Sequence, residues 1–144
     1  MTDAARKFNI GVVVAEVTRA EDFRNAFTVI RNARPDGLLV MLEPLIGSHI
    51  AEVIEFAATT RLPAVYDNGE AAGRGGLIAY ATVYIEHYAL AADYVDRILK
   101  GAKPADLPVQ QPTKFELVIN MKTAKALGLT IPQPLLLRAD EVIQ

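Results

Sequence analysis

Two textures alternate along the chain. Short apolar runs rich in β-branched residues give way to longer stretches whose apolar residues recur every three or four positions. That is the pattern of strands alternating with amphipathic helices. Ile10–Val17 (IGVVVAEV) is too short for a buried helix and predicts a buried strand. Thr18-Arg19-Ala20-Glu21 has capping-box spacing, with Glu21 placed to reach back to the cap. Phe23, Phe27 and Ile30 then line one helical face while Arg24, Asn25 and Arg31 face outward. Arg34-Pro35-Asp36-Gly37 closes this helix in a turn. Gly37–Leu42 (GLLVML) predicts a second strand, apolar on both faces as a central parallel strand is. Glu43-Pro44 ends it, because proline has no N–H and steers the residue before it away from helix.

Ile46, Ile50, Val53, Ile54 and Ala57 form the next helical stripe, followed by a short strand at Leu62–Tyr66. Asp67-Asn68-Gly69 is a turn signal, Glu70–Arg74 one helical turn, and Leu77–Ala81 a fourth strand. Tyr84–Lys100 predicts the longest helix, with Tyr84, Tyr88, Ala91, Val95 and Ile98 on one stripe and Asp93 paired with Arg97. Pro104, Pro108 and Pro112 recur every four residues, so Ala102–Thr113 is an extended crossover and no regular helix. Phe115–Asn120 predicts the fifth strand and Met121–Leu127 a short helix; Pro132 and Pro134 bound a last turn before the tail Leu135–Gln144. The expectation is a single α/β domain over 1–144, a Rossmann-like parallel sheet of about four or five strands flanked by helices.

Composition narrows the classes. The 144 residues are 51% apolar and 22% charged, enough for a sizeable core and wrong for a disordered chain. Fifteen Lys and Arg against 17 Asp and Glu give a net charge of −2, with no basic footprint for nucleic acid. Cysteine is absent, which removes disulfides, thiolate nucleophiles and Cys-ligated zinc. The longest apolar run, Gly37–Leu42, is far below the ~18 residues of a membrane span. Met1–Asn9 is polar and lacks the pattern of a secretory signal, so the chain as written reads as cytoplasmic or of unknown location.

No catalytic motif stands out. Gly73-Arg74-Gly75-Gly76 precedes a strand instead of joining a strand to a helix, which is the wrong place for a phosphate cradle. His49 and His87 lack further ligands at metal spacing, and Ser48 lacks the nucleophile elbow. No catalytic residue, metal site or cofactor is assigned, and an enzyme is not expected. A geometric rule remains: in open parallel sheets, ligands sit beyond the carboxyl ends of the strands. Thr18-Arg19, Glu43-Pro44-Leu45, Asp67-Asn68, Ala81-Thr82 and Tyr84 fall there. Residue by residue, Asp67 and Asn68 can be turn formers and Glu43 a helix leader; as a group they can orient a small polar organic molecule.

The second half carries a more specific text. Ala91–Val109 (AADYVDRILKGAKPADLPV), Gln111–Asn120 (QPTKFELVIN), Lys125–Pro132 (KALGLTIP) and Leu137–Ile143 (LRADEVI) resemble the bacterial ABC transporter substrate-binding proteins of the tryptophan/tyrosine type. Arg61–Tyr66 and Gly75–Tyr80 sit where that family has a strand, a short turn and a glycine-led strand. The resemblance implies a type I periplasmic-binding fold, two α/β lobes closing on a small solute such as an amino acid that passes to a membrane permease. It places this chain in the carboxyl-terminal half, with the family periplasmic and about twice as long. Carried over by position, the ligand-binding residues are Glu43, Asp67, Asn68, Tyr80 and Thr82. Met41-Leu42-Glu43-Pro44 departs from the Asp or Thr often found in relatives, which points to a different ligand. The Tyr84–Lys100 helix would lack its first-lobe partner, so a homo-oligomer through that helix is expected. A cytoplasmic ligand-sensing domain of the same fold is the alternative.

Overall fold

The computed structural model describes residues 2–144, from Thr2 onward. A five-stranded sheet has the order β1 (Leu38–Val40), β2 (Ala64–Tyr66), β3 (Ile78–Thr82), β4 (Phe115–Asn120), β5 (Glu141–Ile143). The pairs β1–β2, β2–β3 and β4–β5 are parallel, and β3–β4 is antiparallel. Around it lie α1 (Thr2–Arg6), α2 (Asp22–Ala33), α3 (Pro44–Ser48), α4 (Ile50–Thr59), α5 (Glu70–Gly73), α6 (Tyr84–Leu99), α7 (Met121–Leu127) and α8 (Gln133–Leu136). The α/β class read from the sequence holds, with a mostly parallel sheet flanked by helices.

Side chains alternate across a sheet, so the register sorts them onto two faces. Val40, Tyr66 and Ala79 share one face through the pairs Val40↔Tyr66 and Tyr66↔Ala79. That face is covered: Val40, Ala64 and Tyr66 pack with Phe23 of α2 and Ile50, Val53, Ile54 and Ala57 of α4. Leu39, Val65 and Ile78 share the opposite face, where Leu39 is 52% and Tyr80 53% exposed. Toward β5 this second face closes, and Ile119 is fully buried.

The first expected strand does not form. Residues 11–17 form no regular element and join no ladder, and Ile10, Val13 and Val14 are exposed while Val17 packs against the core. β-branched residues supply strand propensity, but a strand exists only through a partner, and β1 pairs with β2 alone among the described residues. The fifth strand comes instead from the expected tail. Asp140 accepts the Leu117 N–H on Oδ2 at 2.8 Å and donates its own N–H to the Leu117 carbonyl at 2.9 Å, fixing β5 on β4.

Two helix starts also differ. The capping box Thr18/Glu21 is replaced by Asp22, whose Oδ2 accepts from the Thr18 N–H, the Thr18 hydroxyl and the Arg19 N–H. Those bonds hold the Asp22 carboxyl below its ordinary value of 3.8. The stripe starting at Ile46 is two helices, broken at His49. Its Nδ1 lies 3.0 Å from the Leu45 carbonyl and its ring stacks on Phe23 at 4.8 Å, so this histidine joins α3, α4 and the core.

The second half of the fold is tied by one buried amide. Asn120 Nδ2 donates to the Ala72 carbonyl at 2.8 Å, and its Oδ1 accepts the Thr123 N–H at 3.0 Å, capping α7. Tyr66, fully buried, has its hydroxyl pKa pushed up to about 12 by burial. A Cβ on Gly76 would come within 2.8 Å of the Tyr66 ring and of the Ala71 carbonyl, so this position accepts only glycine without movement. The glycine cluster thus serves close packing and the turn into β3, as its placement in the sequence suggested.

Candidate functional site

Parallel pairing brings the carboxyl ends of β1, β2 and β3 to one edge of the sheet, the side on which open α/β sheets form binding crevices. Asp67 follows β2 directly. Its N–H donates to the Val40 carbonyl at 3.2 Å and its Oδ1 accepts the Leu42 N–H, so it stitches the loop after β1 to the end of β2. Asn68 accepts the Glu70 N–H on Oδ1 at 2.9 Å and opens α5 as an Asx turn. One carboxylate oxygen of Asp67 is therefore structural, and Asn68 spends its acceptor on the backbone.

Glu43 stands at the N-terminus of α3 with extended backbone and caps nothing with its side chain. Among the described residues it is exposed and makes no ion pair, so its charge is free to meet a ligand. Thr82 ends β3, half-buried, and Tyr80 lies one pleat further into the sheet on the same open face. Glu43, Asp67, Asn68 and Thr82 thus gather at one edge, while Tyr80 stands behind it.

Tyr80 has a companion that sequence reading missed. Its ring stacks on Phe115 with centroids 5.5 Å apart and planes 15° apart. The antiparallel register places Phe115 opposite Thr82, diagonal to Tyr80. Nothing local marks this pair; it follows from β3–β4 being antiparallel. The edge therefore offers two carboxylates, a hydroxyl and an aromatic platform, which suits a small molecule with a cationic head and a flat apolar body.

Other candidate chemistry is structural. Ser48 donates to the Leu45 carbonyl at 2.7 Å, and His87 meets Tyr84 edge-on at 5.8 Å. Lys114 pairs with Glu86 at 3.0 Å, which raises its pKa and ties the start of β4 to α6. Among the described residues no group of three or more His, Asp and Glu could hold a metal ion, and no helix is long and apolar enough to cross a membrane.

Comparison with solved structures gives the fold a setting. A conserved domain protein from Vibrio cholerae matches with a TM-score of 0.91 and 29% identity, over 98% of this chain and 47% of its own. An ABC domain from Streptococcus pneumonia, solved in complex with L-Trp, matches with a TM-score of 0.89 and 27% identity, over 98% of this chain and 48% of its own. A ligand-free, open substrate binding protein from Clostridium difficile shares the fold at a TM-score of 0.66 and 20% identity, over 99% of this chain and 48% of its own. The chain thus spans about half the length of these solved proteins. No curated protein matches it. The model of the family described as ABC transporter substrate binding protein matches residues 1–143, and the chain belongs to that family.

Proposed function

We propose that this chain is the carboxyl-terminal lobe of a two-lobe solute-binding protein serving an ABC-type importer, and that it binds without catalysis. Its ligand is a small organic solute such as an amino acid. The observation that carries the reading is the gathering of Glu43, Asp67, Asn68 and Thr82 at one sheet edge with the Tyr80–Phe115 stack behind it. Glu43 and the free oxygen of Asp67 receive the ammonium group, Thr82 bonds the polar end, and the stacked rings face the side chain. A permease takes the solute from the closed two-lobe protein, and the periplasm is where the family's role places it. The L-Trp in the streptococcal relative makes aromatic amino acids the first ligands to try.

A thermal-shift screen of L-tryptophan, L-tyrosine, L-phenylalanine and other amino acids tests this. A ligand at 100 times its Kd adds about 2.7 kcal/mol, read as a rise of several degrees in Tm. Glu43→Gln, which disturbs no bond in the fold, should reduce the rise. No response to any amino acid or aromatic acid overturns the reading.

The same reading covers α6. Its Tyr84, Tyr88, Val95 and Ile98 are exposed and none of its residues is buried, and in a two-lobe protein this helix packs on the other lobe. Alone, the chain associates with a second copy through that helix. Sedimentation should show a concentration-dependent dimer that Tyr88→Glu with Val95→Glu dissociates; a folded monomer at micromolar concentration contradicts it.

A further inference from the structure

The sheet has a second pole. α2 and α4 both end where the parallel strands begin, away from Glu43 and Asp67: Pro35 leads into β1 and Leu62 into β2. Between the two helix ends lies a surface groove of about 270 Å³, with Ile30, Arg31, Arg34 and Pro35 on one side and Phe56, Thr60 and Leu62 on the other. Its floor is apolar and fixed. Phe56 and Leu62 are buried, and Phe56 stacks flat on Phe27 with centroids 4.3 Å apart. Ile30 and Pro35 are half-buried. The Thr60 hydroxyl is spent on the Phe56 carbonyl, at 2.6 Å.

The rim is cationic. The Arg31 guanidinium sits 5.2 Å above the Phe56 ring, whose face attracts it. Arg34 takes the left-handed position after α2, at φ 48° and ψ 55°, and its N–H donates to the Ile30 carbonyl. Glycine is the usual residue there, because a Cβ disfavours that conformation. Among the described residues neither arginine makes an ion pair. Asp36, Glu52 and Glu55, the carboxylates nearest along these segments, are exposed and pair with neither. The negative end of the helix dipole accounts for a cation at this terminus. It does not account for two guanidiniums beside one groove, or for the apolar floor beneath them.

We propose that this groove is a second ligand site, for a small aromatic acid that carries a carboxylate and no amino group. The carboxylate bridges the two guanidiniums, whose planar forks match its geometry. The ring lies on Ile30, Pro35 and Leu62. A groove of this volume falls just below the ~300–1,000 Å³ of pockets for drug-sized molecules, which limits the guest to about one ring. An amino acid fits poorly, since its ammonium would stand against two like charges. The sheet edge has the inverse pattern, with the carboxylates of Glu43 and Asp67, so the two sites divide ligands by the sign of the head group. The inference rests on the groove and stands or falls separately from the solute site.

Amide NMR of the chain titrated with phenylacetate tests it, beside acetate, 2-phenylethanol and L-phenylalanine. Phenylacetate should give saturable shifts centred on Ile30–Arg34 and Thr60–Leu62 and leave Leu42–Glu43 and Asp67–Asn68 unmoved. Acetate lacks the ring, 2-phenylethanol lacks the charge, and L-phenylalanine adds the ammonium. Each should bind the groove about tenfold more weakly. Raising the salt from about 0.02 to 0.3 M should weaken phenylacetate several-fold. Arg34→Gly separates binding from folding. Glycine relaxes the left-handed position, so Tm should hold or rise while affinity for phenylacetate falls about tenfold. Arg31→Gln should weaken binding to a similar extent. Shifts at the sheet edge instead, acetate or L-phenylalanine binding the groove as well as phenylacetate, or full affinity in both variants would overturn the proposal. So would the lack of any saturable response up to about 20 mM.

Discussion

Two amphipathic helices of this chain meet opposite fates. In α4, Ile50, Val53, Ile54, Phe56 and Ala57 are buried, half of a ten-residue helix. In α6, sixteen residues long, none is buried, although Tyr84, Tyr88, Val95 and Ile98 keep the same three- and four-residue spacing. Its contacts run to the segment that follows it: the Tyr94 hydroxyl donates to the Pro108 carbonyl, and Lys114 pairs with Glu86. An apolar stripe states that a helix requires a partner and does not say which molecule carries it. The sheet repeats the lesson, with one face closed by α2 and α4 and the other left open at Leu39, Met41 and Tyr80.

The difference can be tested by placing one charge on each helix. Ile54→Asp buries an unpaired carboxylate against Ala64 and Tyr66 and should cost about 3–5 kcal/mol or unfold the chain. Val95→Asp, at a site already 55% exposed, should stay within about 0.5 kcal/mol in the monomer. Urea unfolding of both variants reads the contrast, and equal losses would mean that α6 is buried in the molecule as it exists in solution.

Asn120→Ala should come next, at about 2–3 kcal/mol by urea denaturation, since it removes a buried amide's bonds to the Thr123 N–H and to the Ala72 carbonyl, which keeps only the Gly75 N–H. Gly76→Ala should cost about 1–3 kcal/mol in the same assay, from the close approach of Tyr66 and the Ala71 carbonyl. The smallest effect concerns Asp22. Its carboxyl titrates below 3.8 in the fold, so its contribution is complete above the unfolded value and is lost as pH falls through the folded one. Asp22→Asn should lower Tm by a few degrees at pH 7, and the gap between variant and parent should close below pH 4.

Much of the fold was readable because local signals and tertiary context agreed. Tyr84–Leu99 ends within one residue of its expected Lys100, and Met121–Leu127 matches its expected limits. Ile10–Val17 failed for the opposite reason: its composition is that of a strand, and among the described residues no strand pairs with it. Glu141–Ile143 was invisible because three residues show no periodicity, and Asp140 holds them in place from outside the strand. The edge residues Glu43, Asp67, Asn68 and Thr82 could be located because parallel strands share one carboxyl end. Phe115 could not, since its meeting with Tyr80 depends on β4 running antiparallel to β3.

The most direct measurement is an amide NMR titration of the 144-residue chain with L-tryptophan, which detects even the weak binding of a single lobe. Saturable shifts centred on Leu42–Glu43, Asp67–Asn68 and Thr82, with Tyr80 and Phe115 following, are the expected result. Shifts that cluster elsewhere in the fold, or none with any amino acid up to millimolar concentration, would contradict the assignment of this sheet edge as the solute site.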